Sequence, residues 1–527
     1  MTNVRSQRLL CPSLFAFSLW IAIPLVASAK ENLWLDAARR SITTGELNEH
    51  VSLLADDMLE GREAGTRGGH AAAKYIVQRI EASGLKPAGP NGSFMQSFPG
   101  NAQNLLAVLE GTDPELRDQY IVVGAHYDHV GYGTRRNSYG PIGFIHNGAD
   151  DNASGVAALL EVIDALDQSG YKPRRSILFA FWDGEEKGLL GSKHWMRNPT
   201  IPVSSIEMAW NIDMVGRLEG GRIEVMGVRT GTGLRRMLST PTMTEGTWID
   251  FTWEYKDNSD HWTFYQAGIP ALCLHTGLHD DYHRPSDDVE KLNVEGIRLV
   301  TSYFVEQLCK LADVDQLPDF RSQSRFENPH TQRRTQQPLP KLAPRVDFKW
   351  EYRSDTQPVF YVRRVSRRSR AGEAGLRTGD KIVAVNSLPV THESLLPAIA
   401  LSAESEITLD VQRGAVAAPI TLEIPLSGEP IKLGLSWRED PAEPDAVYVT
   451  RVVPHSPAAR AGIELFDRIH ALNGSPIVGR ADLLTKVRES LAGGAMSLRL
   501  ETESRGFLNE TVLSLEPDAE DSSDATL

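Results

Sequence analysis

The chain has 527 residues, more than one hydrophobic core usually serves, so we expect two to four domains. Its 41% hydrophobic and 24% charged residues are typical of a soluble globular protein and exclude a fibrous one. The formal net charge of -14 argues against nucleic-acid binding, which needs a basic surface.

Residues 1–29 are predicted to be a secretory signal. Arg5 and Arg8 precede an apolar stretch, and Ala27-Ser28-Ala29 offers a small-x-small cleavage site. A retained membrane anchor is the alternative, because the apolar stretch approaches the length that spans a bilayer. Two prolines within the stretch and the cleavage site favour removal. We therefore expect an exported protein, periplasmic or extracellular, with no stable membrane insertion after signal cleavage.

Residues 30–317 are predicted to form one α/β domain. Apolar side chains recur at helical spacing in residues 66–83 and 153–166. Three continuous apolar runs have the length of buried strands, at residues 120–125, 176–182 and 206–212. Buried strands separated by helices predict a mixed, mostly parallel sheet with helices on both faces.

The rest of the chain is predicted to be a linker, two small domains and a tail. Residues 318–344 are polar, basic and proline-bearing, with almost nothing to bury, as in a linker. The segments that begin at Val362 and Val449 are an internal repeat that aligns without gaps. The repeat predicts two copies of one small β-rich fold, at residues 345–430 and 431–516. Residues 517–527 are acidic, which predicts a disordered tail.

Side chains that can bind metal follow each of the three predicted strands. His126 and Asp128 come after the first strand, Glu185 and Glu186 after the second, and Asp213 after the third. Ligands of open α/β sheets bind beyond the carboxyl ends of the strands. We therefore expect these side chains to converge on one site.

Two further segments supply the same chemistry. Asp150 and Asp151 lie in a glycine-flanked turn before a predicted helix, and His283 ends the run Asp280-Asp281-Tyr282-His283. Histidine, aspartate and glutamate together suit two Zn²⁺ ions that share one bridging carboxylate, and no cysteine belongs to the set.

The motifs AHYDH, GADDNASG, WDGEEKGLLGS, NIDMVG, SDH and DDYHRPSDD occur in this order. In that order they resemble the co-catalytic di-zinc exopeptidases, a family of secreted bacterial aminopeptidases with relatives of the glutamate carboxypeptidase II and transferrin-receptor type. The resemblance spans residues 50–315. It implies the zinc exopeptidase fold in its compact form, without an inserted protease-associated domain.

The resemblance also implies a ligand set for two Zn²⁺ per chain. Asp151 would bridge the two metals. His126 and Asp213 would complete one zinc site, and Glu186 and His283 would complete the other.

Other residues would act without binding metal. Glu185 would be the general base, taking a proton from the water that the metals share and returning it to the leaving amine. Asp128 would orient the first ligand histidine, and Tyr282 would hydrogen-bond the tetrahedral oxyanion. The resemblance further implies a cis peptide bond after Asp151.

The repeated segments resemble PDZ domains in the form found on bacterial proteases, which bind extended C-termini by strand addition. In the second copy, Leu433-Gly434-Leu435 resembles the loop that receives the peptide carboxylate. The matching residues of the first copy include Asp347, which places a negative charge where an anion would dock. We expect the second copy to be the better peptide binder. The alternative is that both copies are packing or spacer domains.

The leading functional hypothesis is a zinc aminopeptidase that hydrolyses N-terminal residues from peptides, with PDZ modules that bind peptide or protein C-termini. A carboxypeptidase or a glutaminyl cyclase on the same scaffold is one alternative, and the cyclase would use a single zinc. A non-catalytic binding protein is another alternative. It predicts missing metal ligands, and the sequence retains them all. Nucleic acid is not an expected partner.

Overall fold

The computed structural model describes residues 26–241, 246–354, 357–414 and 418–516, with side chains described from residue 33. The predicted signal falls mainly on residues 1–25, and the predicted tail is residues 517–527. Residues 1–25 and the tail lie outside the described residues, and both the signal and the tail stay predictions. Among the described residues, no helix is both long and apolar enough to cross a bilayer.

The first of three sheets has nine strands. Its strands are β1 (Lys86–Pro87), β2 (Met95–Phe98), β3 (Ala102–Leu109), β4 (Tyr120–His126), β5 (Ser176–Trp182), β6 (Ile206–Ile212), β7 (Arg222–Met226), β8 (Trp248–Phe251) and β9 (Ala271–His275). They run in the order β1-β3-β5-β4-β6-β9-β7-β8, with β2 paired to β3.

The centre of this sheet is parallel and its margins are partly antiparallel. Strands β5, β4, β6 and β9 are parallel neighbours, whereas β1, β2 and β3 pair antiparallel. His126 pairs with Trp182 in register, and Gly124 pairs with Asn211. The loops that follow β4, β5 and β6 therefore leave the sheet at the same edge, as the sequence predicts.

Helices cover both faces of the first sheet. They are α1 (Val26–Ser41), α2 (Thr44–Leu54), α3 (Arg67–Ala82), α4 (Gly155–Gln168), α5 (Leu190–Arg197), α6 (Leu234–Leu238), α7 (His261–Gln266) and α8 (Val294–Asp313). Alternate residues of β4 face opposite sides: Ile121 and Val123 join the larger core, and Val122 joins a smaller core with Trp195 and Phe264. Both faces of the strand are buried, which explains its continuous apolar sequence.

Two similar six-stranded sheets follow. The first contains β10 (Phe348–Arg353), β11 (Val359–Val365), β12 (Lys381–Val385), β13 (Leu388–Pro389), β14 (Glu406–Gln412) and β15 (Ile420–Pro425). The second contains β16 (Leu435–Asp440), β17 (Glu443–Val452), β18 (Arg468–Leu472), β19 (Ser475–Pro476), β20 (Ser497–Ser504) and β21 (Phe507–Ser514). The strand orders β10-β11-β12-β14-β15 and β16-β17-β18-β20-β21 are equivalent, as the repeat predicts.

Short helices accompany these sheets. The connecting segment contains α9 (Pro329–Thr335), the second sheet has α10 (Arg370–Glu373) and α11 (Leu395–Ser402), and the third has α12 (Pro457–Arg460) and α13 (Gly479–Ala492).

The third sheet is docked on the first domain through buried ion pairs. Arg229 is 9% exposed and lies 2.6 Å from both Asp440 and Glu327. Arg235 lies 2.7 Å from Glu503. Main-chain hydrogen bonds also join the two units, from Thr240 N to Gly506 O, from Ile249 N to Arg505 O and from Gly233 N to Ala442 O.

The connecting segment differs from the bare linker that its composition predicts. Arg321 is 8% exposed and pairs with Glu327 at 2.5 Å, and the ring of Phe320 packs on Tyr265. Leu339 N donates to the carbonyl of Thr450 at 2.9 Å. Of residues 318–344, Arg321 alone is buried and the others are half-buried or exposed, so the segment has little to bury but contacts the first domain and the third sheet.

Candidate metal centre

The loops after β4 and β6 and the turn before α4 bring three ligand-type side chains together. His126 Nε2 lies 3.3 Å from Asp151 Oδ1 and 3.3 Å from Asp213 Oδ1. All three residues are buried, at 1%, 3% and 6% exposure. This group could hold one metal ion.

A second group shares Asp151 with the first. His283 Nε2 lies 3.1 Å from Asp151 Oδ2 and 3.1 Å from Glu186 Oε2. A fourth side chain, His129, joins this group with its Nδ1 2.8 Å from Glu186 Oε1. The structure thus brings together all five sequence-predicted metal ligands, and Asp151 belongs to both groups.

Two donor atoms of the second group lie close together without a hydrogen bond between them. Asp151 Oδ2 and His283 Nε2 are buried and lack a hydrogen-bond partner among the described residues, although they lie 3.1 Å apart. Buried polar atoms normally find a partner. Imidazole nitrogens and carboxylate oxygens are donors that zinc binds, so these two unpaired atoms fit a zinc site.

Glu185 lies beside the ligand Glu186 but is held by a different contact. Its N–H donates to Asp128 Oδ1 at 3.0 Å. The Asp128 carboxylate is 3.8 Å from His126 Nδ1, whereas its own main-chain carbonyl is 3.1 Å from that nitrogen. The main-chain oxygen therefore orients the imidazole more closely than the expected carboxylate does, because the carboxylate turns to the Glu185 N–H.

The surroundings of the neighbouring residues Glu185 and Glu186 shift their pKa values in opposite directions. Burial raises the pKa of Glu185 well above its ordinary value, against the opposing effect of His126, and Glu186 adds to the rise. Burial acts the same way on Glu186 and Asp151 adds to it, but the close contacts of His129 and His283 outweigh both and lower the pKa of Glu186. A carboxylate that stays ionised suits a metal ligand, and one that takes up a proton suits a general base.

Tyr282 borders the centre next to His283. The two rings stack with centroids 3.9 Å apart, and burial raises the pKa of the Tyr282 hydroxyl above its ordinary value. The hydroxyl therefore stays protonated and can donate a hydrogen bond. The exposed ring of Tyr139 lies 6.0 Å from that of Tyr282, so an aromatic rim borders the site.

Arg62 supports the site and escaped the sequence analysis. It is 1% exposed, and its guanidinium donates to the carbonyls of Tyr127, Asn147 and Gly148 at 2.9, 2.6 and 2.9 Å. It thereby ties the loop of His126 to the turn of Asp151. Nothing in the local sequence marks it, because all of these acceptors are main-chain atoms.

The turn that carries Asp151 is held from behind by Asp287. One oxygen of this fully buried carboxylate accepts the N–H groups of Asp150 and Asp151 at 3.0 and 3.1 Å. The peptide bond between Asp151 and Asn152 is cis, as the family resemblance implies. Asp287 lies in the DDYHRPSDD motif, which could have indicated its role.

Comparison with known proteins agrees with this arrangement. Residues 104–307 match the profile of peptidase family M28, and residues 361–413 and 421–494 match PDZ domain profiles. The chain is 27% identical to leupeptin-inactivating enzyme 1 of Streptomyces exfoliatus over 281 residues, which cover 51% of this chain and 57% of that protein. The match thus spans little more than half of that relative.

Two further matches extend over a larger share of the matched protein. Leucine aminopeptidase 1 of Arthroderma gypseum is 27% identical over 321 residues, which cover 56% of this chain and 82% of that protein. The structure of Legionella pneumophila LapA aminopeptidase is 20% identical with a TM-score of 0.43, over 55% of this chain and 76% of that one. By the profile matches alone, residues 104–307 form a domain of peptidase family M28, which two PDZ domains follow in the chain.

Proposed function

We propose that this chain is a two-zinc aminopeptidase that removes N-terminal residues from peptides. The observation that carries the proposal is the pair of donor groups that share Asp151, with Glu185 beside them. Two metal ions that share one carboxylate are typical of hydrolases that activate a water between them. The M28 match supports the same reaction class.

The protein side chains divide the work of hydrolysis. His126, Asp151, Glu186, Asp213 and His283 would hold the zinc ions. When bound, the ions supply Lewis acidity and lower the pKa of water. Glu185 accepts the proton of the attacking water and returns it to the leaving amine, and the Asp128 contact to its N–H fixes its backbone. Tyr282 donates to the developing oxyanion.

The charged groups near the centre favour an amine over a carboxylate as the substrate terminus. Arg62 is engaged by main-chain carbonyls. Arg217 is engaged by Asp281 and Asp287 at 3.4 and 3.2 Å. Arg284 donates to the carbonyl of Tyr139 at 2.9 Å. A carboxypeptidase needs a cation for the substrate carboxylate, and these three arginines already have acceptors.

The variant Glu185→Gln tests the assignment of the base. We expect kcat on aminoacyl-nitroanilides to fall by about 10²–10⁴-fold, because an amide cannot accept the proton, while zinc content stays that of the wild type. The matched control is Glu489→Gln, an exposed glutamate on α13, which should change neither quantity.

Three results would count against the proposal. Full activity of Glu185→Gln would remove Glu185 as the base. Full activity after chelation would exclude a metallopeptidase. Cyclisation of N-terminal glutamine by a protein that holds one zinc would identify a glutaminyl cyclase instead.

The second PDZ domain is the proposed peptide-binding module. Its edge strand β16 begins next to Gly434, which has a φ of +81° and whose added Cβ would lie 2.0 Å from Ser456 Oγ. In the first PDZ domain, the equivalent Asp347 accepts the N–H groups of Arg370 and Ala371 at 2.8 and 3.2 Å. Its carboxylate thus occupies donors at the helix end, which supports the second domain as the better binder.

The variant Gly434→Asp tests this assignment in the full chain. We expect loss of binding to immobilised C-terminal peptides, because a side chain there is strained and meets Ser456. The reverse change, Asp347→Gly, is the companion control and should not weaken binding. Peptide binding that survives Gly434→Asp would exclude this groove.

Export is proposed from the sequence of residues 1–29, with the protein acting in the periplasm or outside the cell. N-terminal sequencing of the mature protein tests this directly. A start at Lys30 is expected, and retention of Arg5 and Arg8 in the mature chain would contradict it.

A further inference from the structure

The two donor groups of the metal centre contain different numbers of protein donors. The group around His126 contributes three protein donors, whereas the group around His283 contributes four. The additional donor is His129, the second histidine of the AHYDH motif. The difference is therefore due to one side chain, which has no role among those that the family resemblance implies.

The distances in the larger group match one coordination shell. Zinc bonds of about 2.0–2.1 Å in a tetrahedron place neighbouring donors about 3.3–3.4 Å apart. His129 Nδ1 lies 2.8 Å from Glu186 Oε1 and 3.7 Å from Asp151 Oδ2. His283 Nε2 lies 3.1 Å from both carboxylates. The four distances lie around the tetrahedral edge, with His129 facing Oε1 of Glu186 and His283 facing Oε2.

The fold makes room for the imidazole of His129 and fixes it. The main-chain N–H of His129 donates to the carbonyl of Arg62 at 3.3 Å, and the side chain is fully buried. Its ring stands edge-on to that of His283, with centroids 5.5 Å apart. Gly148 packs against it with a φ of +56°, and an added Cβ would lie 2.5 Å from His129 Cδ2. A side chain at position 148 would thus displace the imidazole.

From this geometry we infer that His129 is a fourth protein ligand to the metal ion held by Asp151, Glu186 and His283. The inference rests on the proposed two-zinc function and refines it. A site with four protein donors is closed, whereas a site with three leaves a position open. His126, Asp151 and Asp213 would therefore leave a position open at the ion they hold, and the group that includes His129 would hold its ion more tightly.

The competing explanation is that His129 only hydrogen-bonds Glu186. The variants His129→Ala and His129→Asn separate the two roles, because the asparagine amide can donate to Glu186 but is a poor zinc ligand. Zn²⁺ affinities are measured by chelator competition on the full chain, and the visible absorption of the Co²⁺-substituted protein reports coordination. His330→Ala, at an exposed histidine, is the control.

If His129 is a ligand, both variants lower the affinity for one of the two ions by more than about 100-fold. That loss exceeds the usual effect of losing a hydrogen bond to a metal ligand. The affinity for the other ion stays within twofold of the wild-type value, and the Co²⁺ absorption changes in both variants. Wild-type affinity and spectrum in His129→Asn would overturn the inference while leaving two zinc ions in place. A wild-type chain that binds no ion would overturn the proposed function itself. Circular dichroism of the metal-free proteins checks that the variants fold.

Discussion

Arg62 contacts both main loops of the metal centre. It adopts a positive φ of 49°, and burial lowers the pKa of its guanidinium to about 10, within the range in which it stays charged at neutral pH. Its acceptors are main-chain carbonyls of both loops, so one residue sets the separation between His126 and Asp151.

The variant Arg62→Met tests this role. It keeps a long side chain but leaves buried carbonyls without a donor, and each unsatisfied carbonyl costs about 1–3 kcal/mol. We expect the free energy of unfolding to fall by about 2–5 kcal/mol and zinc affinity to fall with it, as measured by urea denaturation and chelator competition. Arg197→Met, at an exposed arginine, should do neither. A change in the free energy of unfolding of less than about 0.5 kcal/mol would show that Arg62 does not stabilise the fold.

At the same scale, the sequence predicts ligands better than it predicts their support. The proposed ligands His126, Glu186 and Asp213 lie at strand ends, where α/β topology concentrates function, so the sequence indicates this region before any coordinates. The choice of Glu186 rather than Glu185 as a ligand comes from the family resemblance. His129 was missed because the pattern of the motif assigns only its first histidine. Arg62 was missed because it acts on main-chain atoms that only the folded chain brings near it.

Among the secondary-structure elements, the buried strands were the most predictable. The predicted run at residues 176–182 is β5, and the run at residues 206–212 is β6, since both faces of each strand are covered. The connecting segment was the least predictable. Its charges look solvated in sequence, but Arg321 and Glu327 form an ion-pair network with Arg229, which lies 98 residues from Glu327 in the chain.

The docking of the second PDZ domain depends on the buried pair Arg229 and Asp440. The pair is bidentate, at 2.6 and 2.9 Å, and Arg229 also stacks 3.6 Å above the ring of Trp253. Loss of one partner of such a buried pair leaves an uncompensated charge.

A double-mutant cycle with Arg229→Ala and Asp440→Ala measures this contact. We expect each single change to lower the free energy of unfolding by about 3–5 kcal/mol, with a coupling energy of at least about 1 kcal/mol. The same cycle on the exposed pair Lys86 and Glu110 should give less than about 1 kcal/mol. Equal coupling energies in the two cycles would show that the PDZ domain isn't held by this pair.

Across the whole molecule, an M28 domain and two PDZ domains are joined so that the second PDZ domain contacts the catalytic unit directly. The edge strand β16 has a described strand neighbour on one side only, and it ends at Asp440, the residue that pairs with Arg229. A peptide added to β16 would therefore lie along the strand that is anchored to the catalytic domain.

The central claim is that two donor groups sharing Asp151 hold two metal ions in one chain. The most direct test is the zinc content of the purified full-length protein, wild type and Asp213→Ala, by mass spectrometry of the intact native chain. We expect two zinc ions in the wild type and one in the variant, whose loss falls on the three-donor group. One zinc or none in the wild type would contradict the account.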